Sequence, residues 1–166
     1  MFDNTNKRAI LIFPKFKNIN IIQEIRKKYD RLFDLIDPHI TLIFPFSDNI
    51  SNEVLIDNIR YILKSEKPFT VKFEGVSLSN DNYIFLNCIE GIDKIIYLHD
   101  VIYQKVLPTH LKKDLPYTPH ITLGQYNNID IFKNFKDKFE TIVDEIVIEF
   151  IDGNENSIII DRIKLQ

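Results

Sequence analysis

The chain has 166 residues, of which 45% are hydrophobic, 12% aromatic and 27% charged. This is the profile of an ordinary globular protein and excludes a disordered or fibrous chain. Its 21 basic and 24 acidic side chains give a net charge of −3, so no global basic field holds long nucleic acid non-specifically; only a local basic groove is left open. A single cysteine, Cys88, excludes an intramolecular disulfide framework and a Cys-rich zinc site.

Arg8 to Phe16 is apolar, β-branched and bounded by Pro14, and reads as a strand. Its apolar core, Ala9 to Phe13, stops at Pro14-Lys15, too short for a signal-peptide core or for the ~20 residues of a membrane span. A cytoplasmic protein with no membrane association is therefore expected. Asn18 or Asn20 is placed to cap a helix, in which Ile21, Ile22, Ile25, Tyr29, Leu32, Phe33 and Ile36 recur at three- and four-residue spacing. Asp37-Pro38 ends it, and His39 to Phe46 reads as a second strand. Ser51 or Asn52 caps a second helix that carries Val54, Leu55, Ile59, Ile62 and Leu63 on one face. Strands follow over Phe69 to Leu78 and Tyr83 to Ile89, joined by the polar turn Ser79 to Asn82.

The second half runs in the same order. A helical pattern covers Ile92 to Val106, a loop with three prolines covers Pro108 to Pro119, and His120 to Tyr126 is a strand. A short helix over Ile129 to Phe139, a strand over Thr141 to Ile151, the turn Asp152-Gly153-Asn154 and a strand over Ser157 to Leu165 complete it. The expected fold is α+β: one domain over residues 1–166, built as two duplicated lobes of about 1–81 and 82–166. Each lobe is an antiparallel sheet packed with helices, with a cleft between them.

The most informative feature is a repeat. Pro38-His39-Ile40-Thr41-Leu42 recurs as Pro119-His120-Ile121-Thr122-Leu123. Two chance His-x-Thr hits among four histidines and seven threonines have a probability on the order of 1%. On a strand, residues two apart share a face. Each motif thus presents an imidazole and a hydroxyl on one side and two aliphatic anchors on the other. Facing each other across a cleft, the two strands supply what an in-line displacement at phosphorus needs: a base on one side, an acid on the other, and hydroxyls for the non-bridging oxygens. No metal or other cofactor is required. Solvent-facing side chains on a half-exposed strand, or a metal site using Asp37, His39 and His120, are the competing readings of the same residues.

With these paired motifs the chain resembles the 2H phosphoesterase superfamily, which includes bacterial 2′-5′ RNA ligase and 2′,3′-cyclic nucleotide phosphodiesterase-like proteins. The resemblance in element order covers nearly the whole chain. It implies metal-independent opening of a 2′,3′-cyclic phosphate to a 2′-phosphate, or reversible making and breaking of 2′-5′ RNA linkages. It also implies acid and base roles for His39 and His120 and phosphate-binding roles for Thr41 and Thr122. RNA ends or a small cyclic nucleotide would be the partner, and no obligate protein partner is expected. A non-catalytic module that binds RNA ends or another phosphorylated ligand in the same cleft is the alternative. Relatives often carry Arg after the second motif's Leu-Gly; here Gln125 follows Leu123-Gly124, which keeps hydrogen bonding but brings no charge.

Other residues are candidates for substrate contact. Gly124 and Tyr126 are expected on the His120 face, the glycine leaving room for a ligand or marking a bulge, and the tyrosine stacking a base or packing structurally. Tyr117 would line the cleft mouth or anchor its loop, and Lys112 and Lys113 would attract phosphate or remain solvated. His99 and His110 have no matching partner and read as structural or surface residues, and Cys88 as inert core.

Overall fold

The computed structural model describes residues 7–166. Among the described residues there are eight strands: β1 (Lys7–Ile12), β2 (Ile40–Phe46), β3 (Phe69–Leu78), β4 (Tyr83–Glu90), β5 (His120–Gln125), β6 (Lys138–Val143), β7 (Glu145–Ile151) and β8 (Ser157–Lys164). Three α-helices accompany them among the same residues: α1 (Ile19–Tyr29), α2 (Asn52–Leu63) and α3 (Ile92–Lys105). The strands form two four-stranded sheets, β2-β1-β7-β8 and β5-β4-β3-β6, with every pairing antiparallel. The fold is α+β and two-lobed, as the sequence indicates.

The lobes do not coincide with the sequence halves. A division near residue 81 falls inside the β3–β4 hairpin, and both strands of that hairpin belong to the second sheet. The first sheet is closed by β7 and β8 from the end of the chain. The chain therefore builds part of one sheet, all of the other, and then returns. The helices cross as well: α1 packs against β5, and α3 packs against β2.

Four element boundaries also differ from the sequence reading. Strand β1 ends at Ile12 rather than Phe16. Helix α1 ends at Tyr29, and residues 30–36 form turns. Arg26, only 1% exposed, explains this: its guanidinium bonds the Asp30 carboxylate at 2.8 Å and the Ile36 carbonyl at 2.7 Å, pulling the chain back across the helix end. The expected helix over 129–139 is a single 3₁₀ turn, Ile129–Phe132, started by the Asn128 side chain accepting from the Asp130 amide. The expected strand over 141–151 is two strands in different sheets, β6 and β7, with Asp144 between them.

One continuous apolar core joins both sheets. Ile40 and Leu42 from the first motif, and Ile121 and Leu123 from the second, lie within it with at most 1% exposure. Burial of that order stabilises by roughly 1.5–3 kcal/mol per side chain, which fixes the face that each motif turns outward. No helix among the described residues is long and apolar enough to cross a membrane.

Candidate active site

Strands β2 and β5 are each the outermost strand of their sheet, and these two edges approach one another. The paired motifs are thereby brought together. Along each, burial alternates: His39 and Thr41, like His120 and Thr122, are half-buried, and the aliphatic residues between and after them are buried.

The pseudo-symmetry extends to finer detail. In the first sheet Leu11 pairs with Thr41 and Ile10 with Ile43, so Leu42 is an extra residue, a β-bulge. In the second sheet Phe85 pairs with Thr122 and Ile84 with Gly124, so Leu123 is the matching extra residue. Bulges re-aim side chains at the edge of a sheet. Here the same bulge follows the threonine in both motifs.

The histidines are oriented identically. Nδ1 of His39 lies 2.8 Å from the Asp37 carbonyl, and Nδ1 of His120 lies 2.8 Å from the Thr118 carbonyl. A carbonyl only accepts, so each Nδ1 carries the hydrogen, and each Nε2 keeps its lone pair or a transferable proton. Phe85 stacks on His120 with ring centroids 3.7 Å apart, and Phe13 meets His39 edge-on at 6.2 Å. These rings shield the imidazoles from water. Burial, the largest effect, pushes both histidines below their ordinary value of 6.5. His39 is lowered further by the positive charge of Arg26 and by that of His120, as expected of two imidazoles close enough to repel when both are charged. Among the described residues, neither Nε2 and neither threonine hydroxyl is engaged by another side chain. Asp37 reaches His39 through its backbone carbonyl.

The other candidates fall differently. Tyr117 donates from its hydroxyl to the Thr41 carbonyl at 2.7 Å and stacks on His99 at 3.8 Å. It therefore anchors the loop before the second motif directly to the backbone of the first, and burial raises its hydroxyl well above the ordinary range. The bulge at Leu123 reverses the parity beyond it. Gly124 is opposite the buried Ile84, so it does not continue the His120 face. Gln125, paired with Tyr83, takes that side instead, and its amide donates to the Asp81 carbonyl at 2.9 Å. Tyr126 lies beyond β5, with its ring 5.1 Å from that of Tyr29, and so belongs to an aromatic cluster at the end of α1. Lys112 and Lys113 are exposed in the 111–119 loop and, among the described residues, make no ion pair. His99 is buried in α3 and bonded to Asp100, and His110 bonds Asp48. Burial raises the Cys88 thiol to about 11, which leaves it unreactive near neutrality.

Gly124 serves packing rather than ligand access. It has φ +144°, and a Cβ there would sit 2.5 Å from the Tyr29 carbonyl oxygen. Gly124→Ala is expected to destabilise the protein by about 2–3 kcal/mol through overpacking and backbone strain. Urea denaturation measures it, and a loss under about 0.5 kcal/mol would contradict this packing role.

Sequence reasoning missed Phe85, Phe13 and Glu149. The last had a signal: a charged residue set between the apolar stretches Ile146 to Ile148 and Phe150 to Ile151, on a strand buried from Glu145 to Glu149.

Two edge strands with matched His-x-Thr motifs, one on each of two antiparallel sheets, define a duplicated two-motif fold. Comparison with known proteins gives the family and the fold. The sequence model of the 2′-5′ RNA ligase superfamily matches residues 14–154, and the chain belongs to that superfamily. A Bacillus licheniformis protein with the provisional name phosphoesterase is 33% identical over 124 residues, covering 72% of this chain and 70% of its own. A Geobacillus kaustophilus protein with the same provisional name is 30% identical, covering 72% and 69%. Among solved structures, Escherichia coli LigT in apo form superposes with a TM-score of 0.64 at 15% identity, covering 97% of this chain and 98% of that one. TT0787 of Thermus thermophilus superposes with 0.69 at 13% identity, covering 96% and 97%.

Proposed function

We propose that this protein is a metal-independent phosphoesterase that opens 2′,3′-cyclic phosphates or cleaves related ribose phosphodiesters, using His39 and His120 as a base–acid pair. The observation that carries this reading is the identical Nδ1-to-carbonyl anchoring of both imidazoles on facing edge strands. One Nε2 takes a proton from water as its oxygen bonds to phosphorus. The other gives its proton to the ribose oxygen whose bond to phosphorus breaks. The hydroxyls of Thr41 and Thr122 donate to the non-bridging oxygens as charge grows there. With a ribose 5′-hydroxyl in place of water as the nucleophile, the same groups would join RNA ends through a 2′-5′ linkage, the P–O5′ bond forming as the P–O3′ bond of the cyclic phosphate breaks. RNA ends and small cyclic nucleotides are the substrates this chemistry takes. The membership of the chain in the 2′-5′ RNA ligase superfamily supports the class.

The test is incubation with the four 2′,3′-cyclic nucleotides in the presence of chelator. Ring-opened nucleotide is the expected product. Ligand-induced thermal stabilisation without product would instead indicate a binding module. Activity lost in chelator and restored by Zn²⁺ would move the assignment to a metal site. The pH profile is diagnostic. Because both imidazoles titrate below 6.5 in the free protein, kcat/KM should be bell-shaped with its maximum below pH 6.5. The kcat profile should lie at higher pH, since a bound phosphate favours the charged imidazole. In an NMR titration of the ring protons, His120→Ala should raise the pKa of His39 by removing a like charge; an unchanged value would separate the two rings electrostatically.

A further inference from the structure

A pocket of about 190 Å³ opens beside the first motif, lined by His39, Thr41, Leu11, Leu32, Ile36 and, at its far side, Glu149 with Ser157. The mechanism above uses the first two; of the two carboxylates lining the pocket, Glu155 is paired with Arg31, and Glu149 is left unexplained. Glu149 is 3% exposed, yet no cation pairs with it among the described residues; its polar partner is the Ser157 hydroxyl, which donates to one carboxylate oxygen. An ionised carboxylate buried with no countercharge costs several kcal/mol, and a ligand that donates hydrogen bonds to Glu149 in this pocket would offset that cost.

The register gives the span. On one face of the first sheet, Thr41 pairs with Leu11 and Glu149 pairs with Ala9. Two strand spacings and a two-residue rise separate Thr41 from Glu149, about 12 Å between backbones. A nucleotide covers such a span from its phosphorus to the far edge of its base. The volume would hold about six waters, room for one bicyclic ring. Leu11, Leu32 and Ile36 give apolar walls for its faces.

We infer that this pocket is a base-specificity subsite in which the Glu149 carboxylate, held by Ser157, selects guanine. An ionised carboxylate only accepts hydrogen bonds. Guanine alone among the four bases presents two adjacent donors, N1–H and the N2 amino group, that match two carboxylate oxygens. Adenine and cytosine each place a ring-nitrogen lone pair beside their amino group, and uracil flanks its single N–H with two carbonyl oxygens. Each of these would set an acceptor against the carboxylate, leaving buried polar groups unpaired. Burial raises the Glu149 carboxyl, and the Ser157 hydrogen bond opposes that rise.

The inference rests on the ribose phosphodiester reading, and its test separates the two. With the unaltered protein, kcat/KM for guanosine 2′,3′-cyclic phosphate should exceed that for the adenosine, cytidine and uridine compounds by about 10-fold or more. Glu149→Gln, which turns one acceptor into a donor, should lower the guanosine-to-uridine ratio about 10-fold. Equal kcat/KM for all four bases, or a ratio unmoved by Glu149→Gln, overturns the subsite and leaves the phosphoesterase intact. If no cyclic nucleotide is turned over, calorimetric binding of guanosine 2′-monophosphate against the other three 2′-nucleotides decides. Guanine-selective binding keeps the subsite while the catalytic reading falls; unselective binding, or none, removes both. The four-base comparison needs no variant, so it holds even if Glu149→Gln fails to fold.

Discussion

Replacing His39 or His120 by alanine is expected to lower kcat on a 2′,3′-cyclic nucleotide by about 10²–10⁴-fold, the range for loss of a positioned general acid or base. The two losses should be similar in size because the two rings are built alike. Each has its Nδ1 on a carbonyl two residues upstream, each follows a buried proline, and each precedes the same buried aliphatic–threonine–leucine sequence. Removing both should cost little more than removing one. Proton donation to the leaving oxygen and proton removal from water are parts of one displacement, and residues that act as a unit are not additive. The structure also predicts that these variants fold. Neither imidazole contributes to the continuous core, and the backbone carbonyls it releases lie at the cleft surface, where water replaces the bond. Single-turnover rates with circular dichroism on the same samples check both points. Turnover within about threefold of the unaltered protein in both single variants would remove the two-histidine assignment.

The parts of the fold legible in the sequence are those where local pattern and tertiary environment agree. The His-x-Thr faces are the clearest case. Strict alternation around Ile40, Leu42, Ile121 and Leu123 demands one buried side, and the structure buries all four. Parity holds only as far as the threonines, because the bulges at Leu42 and Leu123 leave no local signal: both are leucines within apolar runs. For that reason the alternation puts Gly124 on the wrong side of β5 and leaves Gln125 off the His120 face. The early end of α1 is hidden for a different reason. Leu32, Phe33 and Ile36 continue the helical period, but the buried Arg26 takes the Ile36 carbonyl for itself, a contact between residues ten apart that no windowed pattern detects. The split between β6 and β7 likewise has no glycine or proline to mark it. Asp144 at the crossing is held by Lys15 and Lys164, one from the start of the chain and one from its end, so the change of sheet is specified by partners far away in sequence.

The second large effect concerns the hydroxyls. Thr41→Ala and Thr122→Ala are each expected to lower kcat by about 10²–10³-fold, the cost of removing one donor aimed at developing charge. Two structural facts make the expectation specific. Among the described residues each hydroxyl is without a protein partner, so its hydrogen-bonding capacity is available to a ligand. Each threonine also sits directly before a bulge, which turns its side chain relative to the regular strand. The positive charge near the cleft does not substitute for these donors. The guanidinium of Arg26 is committed to Asp30, Gln23 and the Ile36 carbonyl, Arg31 is paired with Glu155, and Gln125 adds no charge. In the proposed mechanism phosphate stabilisation falls to one imidazolium and two hydroxyls, so losing any of the three should appear in kcat more than in KM. Thr→Ser at either position should keep most of the activity because the hydroxyl stays, whereas Thr→Val, which preserves shape and removes the donor, should behave like Thr→Ala. If Thr→Val matched Thr→Ser, the threonines would be acting through packing alone, and the charge on the displaced oxygens would need another source of stabilisation.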